Sequence, residues 1–228
     1  MNKTLVIAMT LFVVQPAHAV FVDSIDDDFT INWFLGAGQS DNDGGATSSI
    51  ALSANAIFDV TEITDASLEM TVTFTNTTTL SGSVAEAGIT TFGIGVTPNA
   101  TGVTFSDDDD GAFSDAELQT QGNLSFPGGF KQIDVCVFTG GCSGGPQGSA
   151  LAAGGSLDAF TLSIFGSFDD GVTLNPFPIK FQTTEASFEF GGTTTGGGDI
   201  PNVPEPAPLA LIGLSGLLLG WMRRKSRI

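Results

Sequence analysis

The chain of 228 residues has no tyrosine, one histidine, two cysteines, and only 7 lysines and arginines against 25 aspartates and glutamates. Each shortage removes a class of function. So few cations, with a formal charge of −18, exclude nucleic acid as the main partner, because phosphate binding needs clustered Lys and Arg. The histidine, His18, falls in an N-terminal stretch expected to be cleaved. Ser-His-Asp and Cys-His catalysis, His-ligated zinc and imidazole acid–base chemistry then have no residue to carry them. Composition leaves paired-carboxylate chemistry open, but no spacing of the acids singles out a pair. Without tyrosine, and with Trp33 as the only tryptophan before the C-terminal tail, a polysaccharide-binding surface lacks its usual aromatic platforms. Apolar residues repeat at helical spacing nowhere outside the two end segments, and no internal repeat has a fixed period.

What is present is apolar material for a core, at 41% hydrophobic with 19 Phe, and 30 Gly to punctuate it. The two ends separate from this body. Lys3 precedes the apolar run Leu5 to Val14, and Ala17-His18-Ala19 places small residues where a signal peptidase reads them. Residues 1–19 are therefore expected to be a secretory signal peptide, cleaved before Val20. At the other end Val203-Pro204-Glu205-Pro206 leads into the uncharged Ala207 to Met222, followed by Arg223, Arg224, Lys225 and Arg227. A helix over that run would reach roughly 24 Å at ~1.5 Å per residue, a short single transmembrane span against a ~30 Å hydrocarbon core. The basic cluster would leave the tail cytoplasmic and the body outside. Between Val20 and Asn202 stand 24 acids and only two bases, Lys131 and Lys180, a net of −22. Such a body repels nucleic acid and anionic membrane surfaces.

Alternation dominates the body. Phe29, Ile31, Trp33 and Leu35 recur at every second position, as do Ile50, Leu52, Ala54, Ala56, Phe58 and Val60, and then Leu68, Met70, Val72 and Phe74 with Glu69, Thr71 and Thr73 between them. Shorter candidates lie at 92–96, 103–105, 133–138, 160–164, 179–181 and 188–190, with Gly, Asn and Asp between them. The expected fold is all-β over 20–190, an antiparallel two-sheet β-sandwich of immunoglobulin-like or jelly-roll type, with a β-barrel as the alternative. Residues 191–202 read as a Gly/Thr-rich linker. Cys136 and Cys142, both in the exported and oxidising part, are expected to form a disulfide across a short Gly-containing loop. The Thr-rich run from Thr71 to Thr79 reads as a strand edge before it reads as a glycosylation target at Asn76.

The tripartite tail resembles the PEP-CTERM sorting signal of Gram-negative bacteria in its Val203-Pro204-Glu205-Pro206 element, its Leu/Gly-rich span closing in Gly220-Trp221, and its terminal basic cluster. The resemblance implies an exosortase substrate. A membrane-embedded cysteine protease would recognise Pro-Glu-Pro after transient inner-membrane anchoring and remove the tail, and the body would pass to the cell surface or extracellular polysaccharide matrix. Proline disfavours helix in the residue before it, so Pro204 and Pro206 would hold Glu205 extended beside the membrane. A second, narrower likeness covers Phe126-Pro127-Gly128-Gly129-Phe130, Ile133-Asp134-Val135-Cys136-Val137-Phe138, Cys142-Ser143-Gly144-Gly145 and Leu157-Asp158-Ala159-Phe160-Thr161-Leu162, which are similar to the cistern subset of PEP-CTERM proteins. That subset implies no activity and no site residues beyond the cysteine pair.

Among the acidic runs, Ser106 to Glu117 can be read as a twelve-residue calcium loop. Asp108 and Asp110 would take positions 3 and 5, Gly111 the turn, and Glu117 the closing bidentate position. Ser106 stands where that pattern wants Asp, and the flanks do not read as helices; the competing reading is a solvated acidic turn. No other cofactor is expected. The expected function is that of a non-enzymatic surface or matrix protein with a structural or adhesive role linked to exopolysaccharide. The alternative is a secreted polysaccharide-binding or polysaccharide-cleaving domain.

Overall fold

The computed structural model describes residues 19–42, 44–107, 111–119 and 126–196 of the protein. The chain divides into two units, Met1–Gly198 and Asp199–Ile228, and every described residue belongs to the first. The expected leader over 1–18, and everything from 197 onward, lie outside the described residues.

Among the described residues fifteen strands follow one another. They are β1 (Val20–Val22), β2 (Phe29–Leu35), β3 (Leu52–Thr64), β4 (Ser67–Asn76), β5 (Ala87–Ile94), β6 (Val96–Thr97), β7 (Gly102–Ser106) and β8 (Asp115–Leu118). Then come β9 (Val135–Phe138), β10 (Leu151–Ala152), β11 (Ser156–Phe165), β12 (Val172–Leu174), β13 (Pro178–Thr183), β14 (Ser187–Gly191) and β15 (Thr193–Gly196). A single 3-10 turn, Gln147–Ser149, is the only helical element among the described residues. The fold is all-β, and its strand pairs are antiparallel. One six-stranded sheet runs β15-β2-β3-β4-β11-β7; a second runs β14-β13-β5-β9-β8 with β10 also on β5; a small third sheet runs β1-β12-β6.

The alternation read from the sequence is what folds the first sheet. In β4 the buried residues are Leu68, Met70, Val72, Phe74 and Asn76, and the half-exposed ones between them are mostly Thr. β2 and β11 alternate in the same way. The buried sides of both large sheets join one apolar core. Rings link the sheets: Phe74 of β4 lies 5.0 Å from Trp33 of β2 and 5.0 Å from Phe92 of β5, and Phe113 meets Phe92 edge-on at 5.4 Å. Each fully buried ring contributes about 1.5–3 kcal/mol by area, and ring pairs about 0.5–1.5 kcal/mol more. Trp33 donates its indole N–H to the Phe177 carbonyl at 2.8 Å, so its burial leaves no orphan donor. The arrangement is sandwich-like, two sheets facing each other across a shared core.

Three local readings change. Within the stretch read as linker, Thr193–Gly196 is the edge strand β15, paired with β2 from Thr193↔Asn32 to Gly196↔Phe29. The chain crosses from the second sheet to the first at Gly192. Its amide donates to the Phe177 carbonyl at 2.8 Å, and a Cβ there would lie 2.5 Å from Ile31 and 2.7 Å from the Trp33 indole nitrogen. Glycine that reads as linker composition is here a tight corner. The Thr run is not a strand edge: β4 lies inside its sheet between β3 and β11. Asn76, at its end, is fully buried, donating to the carbonyls of Ala87 (3.2 Å) and Leu151 (2.8 Å), so its amide is closed to glycosylation in the fold. Finally, Asp115–Leu118, inside the expected acidic loop, is the edge strand β8 on β9. Its two apolar residues, Ala116 and Leu118, are too few to show periodicity, and the pairing is made by backbone.

Candidate functional site

Cys136 and Cys142 form the expected disulfide, with Cα atoms 5.9 Å apart. Cys136 sits on β9 opposite Gly93 of β5, on the side of the second sheet away from the main core. Glycine leaves a gap there: a Cβ at Gly93 would lie 2.9 Å from Ile133 and 3.1 Å from the Phe126 ring. Those two side chains fill the gap, and with both cysteines they form a separate small core against which Phe130 and Phe138 pack. Phe126, Ile133 and the disulfide thus form a cover over the second sheet. Lys180 of β13 pins the cover, meeting Glu189 of β14 at 3.1 Å and donating to the Ser143 carbonyl at 3.0 Å. Asn42 completes the tie, donating its backbone N–H to the Glu189 carbonyl (2.8 Å) and its side-chain amide to the Gly128 carbonyl (2.6 Å). Lys180–Glu189 is the one ion pair among the described residues, and its side chains are 12% and 10% exposed. The pair holds structure together more than it offers chemistry.

Of the expected calcium ligands, Asp108 and Asp110 lie outside the described residues. Glu117 is exposed on β8, accepting a 2.7 Å hydrogen bond from Gln119, whose amide also reaches the Cys142 sulfur at 3.2 Å. Among the described residues no three His, Cys, Asp or Glu are grouped to hold a metal. The acids that the fold singles out are two others. Asp134 accepts the Val96 N–H at 2.8 Å and Asp158 the Phe113 N–H at 2.7 Å, both from buried positions at sheet ends. Burial pushes each carboxyl above its ordinary range; the backbone N–H opposes that rise, and at Asp158 the charge of Asp107 adds to it. Each satisfies a buried backbone donor, Val96 at the start of β6 and Phe113 two residues before β8. Sequence reading passed them over because a lone Asp in an apolar run carries no spacing signal.

The outer side of the first sheet has no cover. Its outward positions line up in rows across five strands: Thr193, Asn32, Asn55, Thr75 and Leu157 in one, and Thr195, Thr30, Ile57, Thr73 and Ala159 in the next. Among the described residues of the strands β2, β3, β4 and β11, acids enter this side only toward the β3–β4 hairpin, as Asp59, Glu62 and Glu69, and no Lys or Arg does. Of the six large hydrophobic side chains left exposed among the described residues, Phe34, Ile57, Leu157 and Phe165 are here.

None of these features identifies a catalytic constellation, and the functional signal lies in the tail. Comparison with family models finds a match to the PEP-CTERM protein-sorting motif over residues 202–227. The chain carries a PEP-CTERM sorting motif. Val203, Pro204, Glu205 and Pro206 fall within it, as do the expected membrane span and basic cluster. The PEP-CTERM motif implies export, a membrane-anchored sorting signal and exosortase processing. Its residues lie outside those described, and among the described residues no helix is long and apolar enough to cross a membrane. The PEP-CTERM match covers the tail alone; curated proteins and solved structures yield no match that would extend it to the body.

Proposed function

We propose that this is a non-enzymatic exported protein, anchored transiently by its PEP-CTERM tail, cut by an exosortase near Pro204–Pro206, and released to the cell surface or extracellular matrix. There the body, a two-sheet β-sandwich, serves a structural or adhesive role linked to exopolysaccharide. The observation that carries the reading is the sorting motif over residues 202–227. The fold supports it, since the disulfide suits an oxidising compartment and a body of −22 stays soluble after release. Mass spectrometry of surface and medium fractions tests the proposal. The mature C-terminus should map to Pro204–Pro206, with no peptide recovered from Leu209 onward. Replacing Pro204, Glu205 and Pro206 with Ala should trap the full-length form in the inner membrane. An intact Arg227-Ile228 terminus on all of the surface protein would overturn exosortase processing.

A further inference from the structure

We infer that the uncovered outer side of the first sheet is a docking surface for a neutral polysaccharide. The inference rests on the exopolysaccharide-linked role proposed above and assigns it a place and a ligand class. Charge decides the class. A body of −22 repels anionic polymers and second copies of itself, whereas a neutral polymer meets no such penalty. The surface itself is built of neutral groups. Thr, Asn and Ser project from adjacent strands about 4.8 Å apart, presenting hydroxyl and amide donors and acceptors in rows that a chain of sugar hydroxyls can satisfy.

Among these groups stand Phe34 (68% exposed), Leu157 (61%) and Ile57 (51%), which give apolar patches for the carbon faces of sugar rings. Four of the six exposed large hydrophobics among the described residues stand on this one sheet side, each in a different row and set among Thr, Asn and Ser, so that each offers a single apolar contact within a polar surface. A second copy is the poorer occupant, because a stable self-interface needs a predominantly apolar centre, and here hydroxyls and amides separate the apolar residues. The opposite sheet offers no equivalent, since its outer side is already occupied by the disulfide-bearing cover.

The test is affinity electrophoresis of the full-length protein in native gels containing dextran, laminarin, glucomannan or alginate. The variants are Ile57→Glu with Leu157→Glu, the milder Ile57→Thr with Leu157→Thr, and Ser149→Glu as a control on the other side of the fold. Thermal melts confirm that each is folded. The expected result is retardation by at least one neutral polymer and none by alginate. Both face variants should weaken that retardation about tenfold, and Ser149→Glu should leave it unchanged. Equal retardation of wild type and folded face variants would place sugar binding elsewhere and overturn the inference. So would the absence of retardation by all three neutral polymers, or self-association that the face variants abolish. If the mature protein nonetheless ends at Pro204–Pro206 and fractionates with the matrix, the sorting reading stands and only the docking surface falls.

Discussion

The two large sheets share a core and treat their other sides in opposite ways. In the first, strands such as β4 alternate buried and half-exposed residues, and the outer side is left to solvent as rows of Thr and Asn. In the second, every residue of β5 is buried, because the loops around Phe126–Ile133 and Cys142 cover the outer side as well. The difference shows where constraint has been placed. The covered side holds the one disulfide and the one ion pair among the described residues, all of it directed at holding loops onto a sheet. The bare side holds no such fastening, and four of the six exposed large hydrophobic side chains among the described residues stand on it.

Several substitutions would break or sharpen this contrast. The shared core should be the most sensitive. Phe74→Ala from the first sheet and Phe92→Ala from the second should each cost about 3–5 kcal/mol in urea unfolding, and because the rings touch the two losses should not add. If either ring can be removed for less than about 1 kcal/mol, the two sheets do not depend on one core. Next comes the fastening of the cover. Lys180→Ala strands the largely buried Glu189 carboxylate and should cost about 3 kcal/mol, while Lys180→Met combined with Glu189→Leu should come close to wild type. Equal losses in both would mean that packing, not the unpaired charge, is responsible.

The disulfide should matter somewhat less. Its short loop gives about 2 kcal/mol by the chain-entropy argument, so Cys136→Ser with Cys142→Ser should lower the melting midpoint modestly, and the native protein should titrate no free thiol. Asp158 gives a smaller effect that depends on pH. Its carboxyl titrates higher in the fold than in the unfolded chain, mainly because of burial. The stability it contributes is therefore full below the ordinary carboxylate value and is lost as pH rises through the folded one. Asp158→Asn keeps an acceptor for the Phe113 N–H and should gain on wild type as pH rises across that window. A difference that stays flat between about pH 3 and pH 7 would remove burial as the cause. On the bare side, Ser163→Ala removes one half-exposed hydroxyl that donates to the Glu69 carboxylate at 3.2 Å and should cost only about 0.5 kcal/mol.

Much of this contrast was legible before folding, but only on one side of it. A strand buried on one face writes a period of two into its residues, which is why β2, β3, β4 and β11 could be read directly from Phe29, Phe58, Phe74 and Phe160 and their neighbours. In the second sheet β5 and β9 are buried on both faces, so no alternation of buried and exposed positions sets their register. The edge strands β8 and β15 were hidden for another reason. They pair through backbone groups, which every residue carries, so Asp115–Leu118 looked like an acidic loop and Thr193–Gly196 like a linker.

The chain's own residues determined the all-β class, the cysteine pair, the acidity of the body and the sorting tail, because each of these is a property of composition or of neighbours a few positions apart. Only the tertiary structure decided that Gly192 is a corner where two sheets meet, that Asp134 and Asp158 are buried on backbone donors, and that Lys180 holds down a loop far from it in the chain. It also decided which Thr rows stay open to solvent. Those outcomes depend on which distant segments come into contact, and contact between distant segments is set by packing a whole core, which no local pattern records.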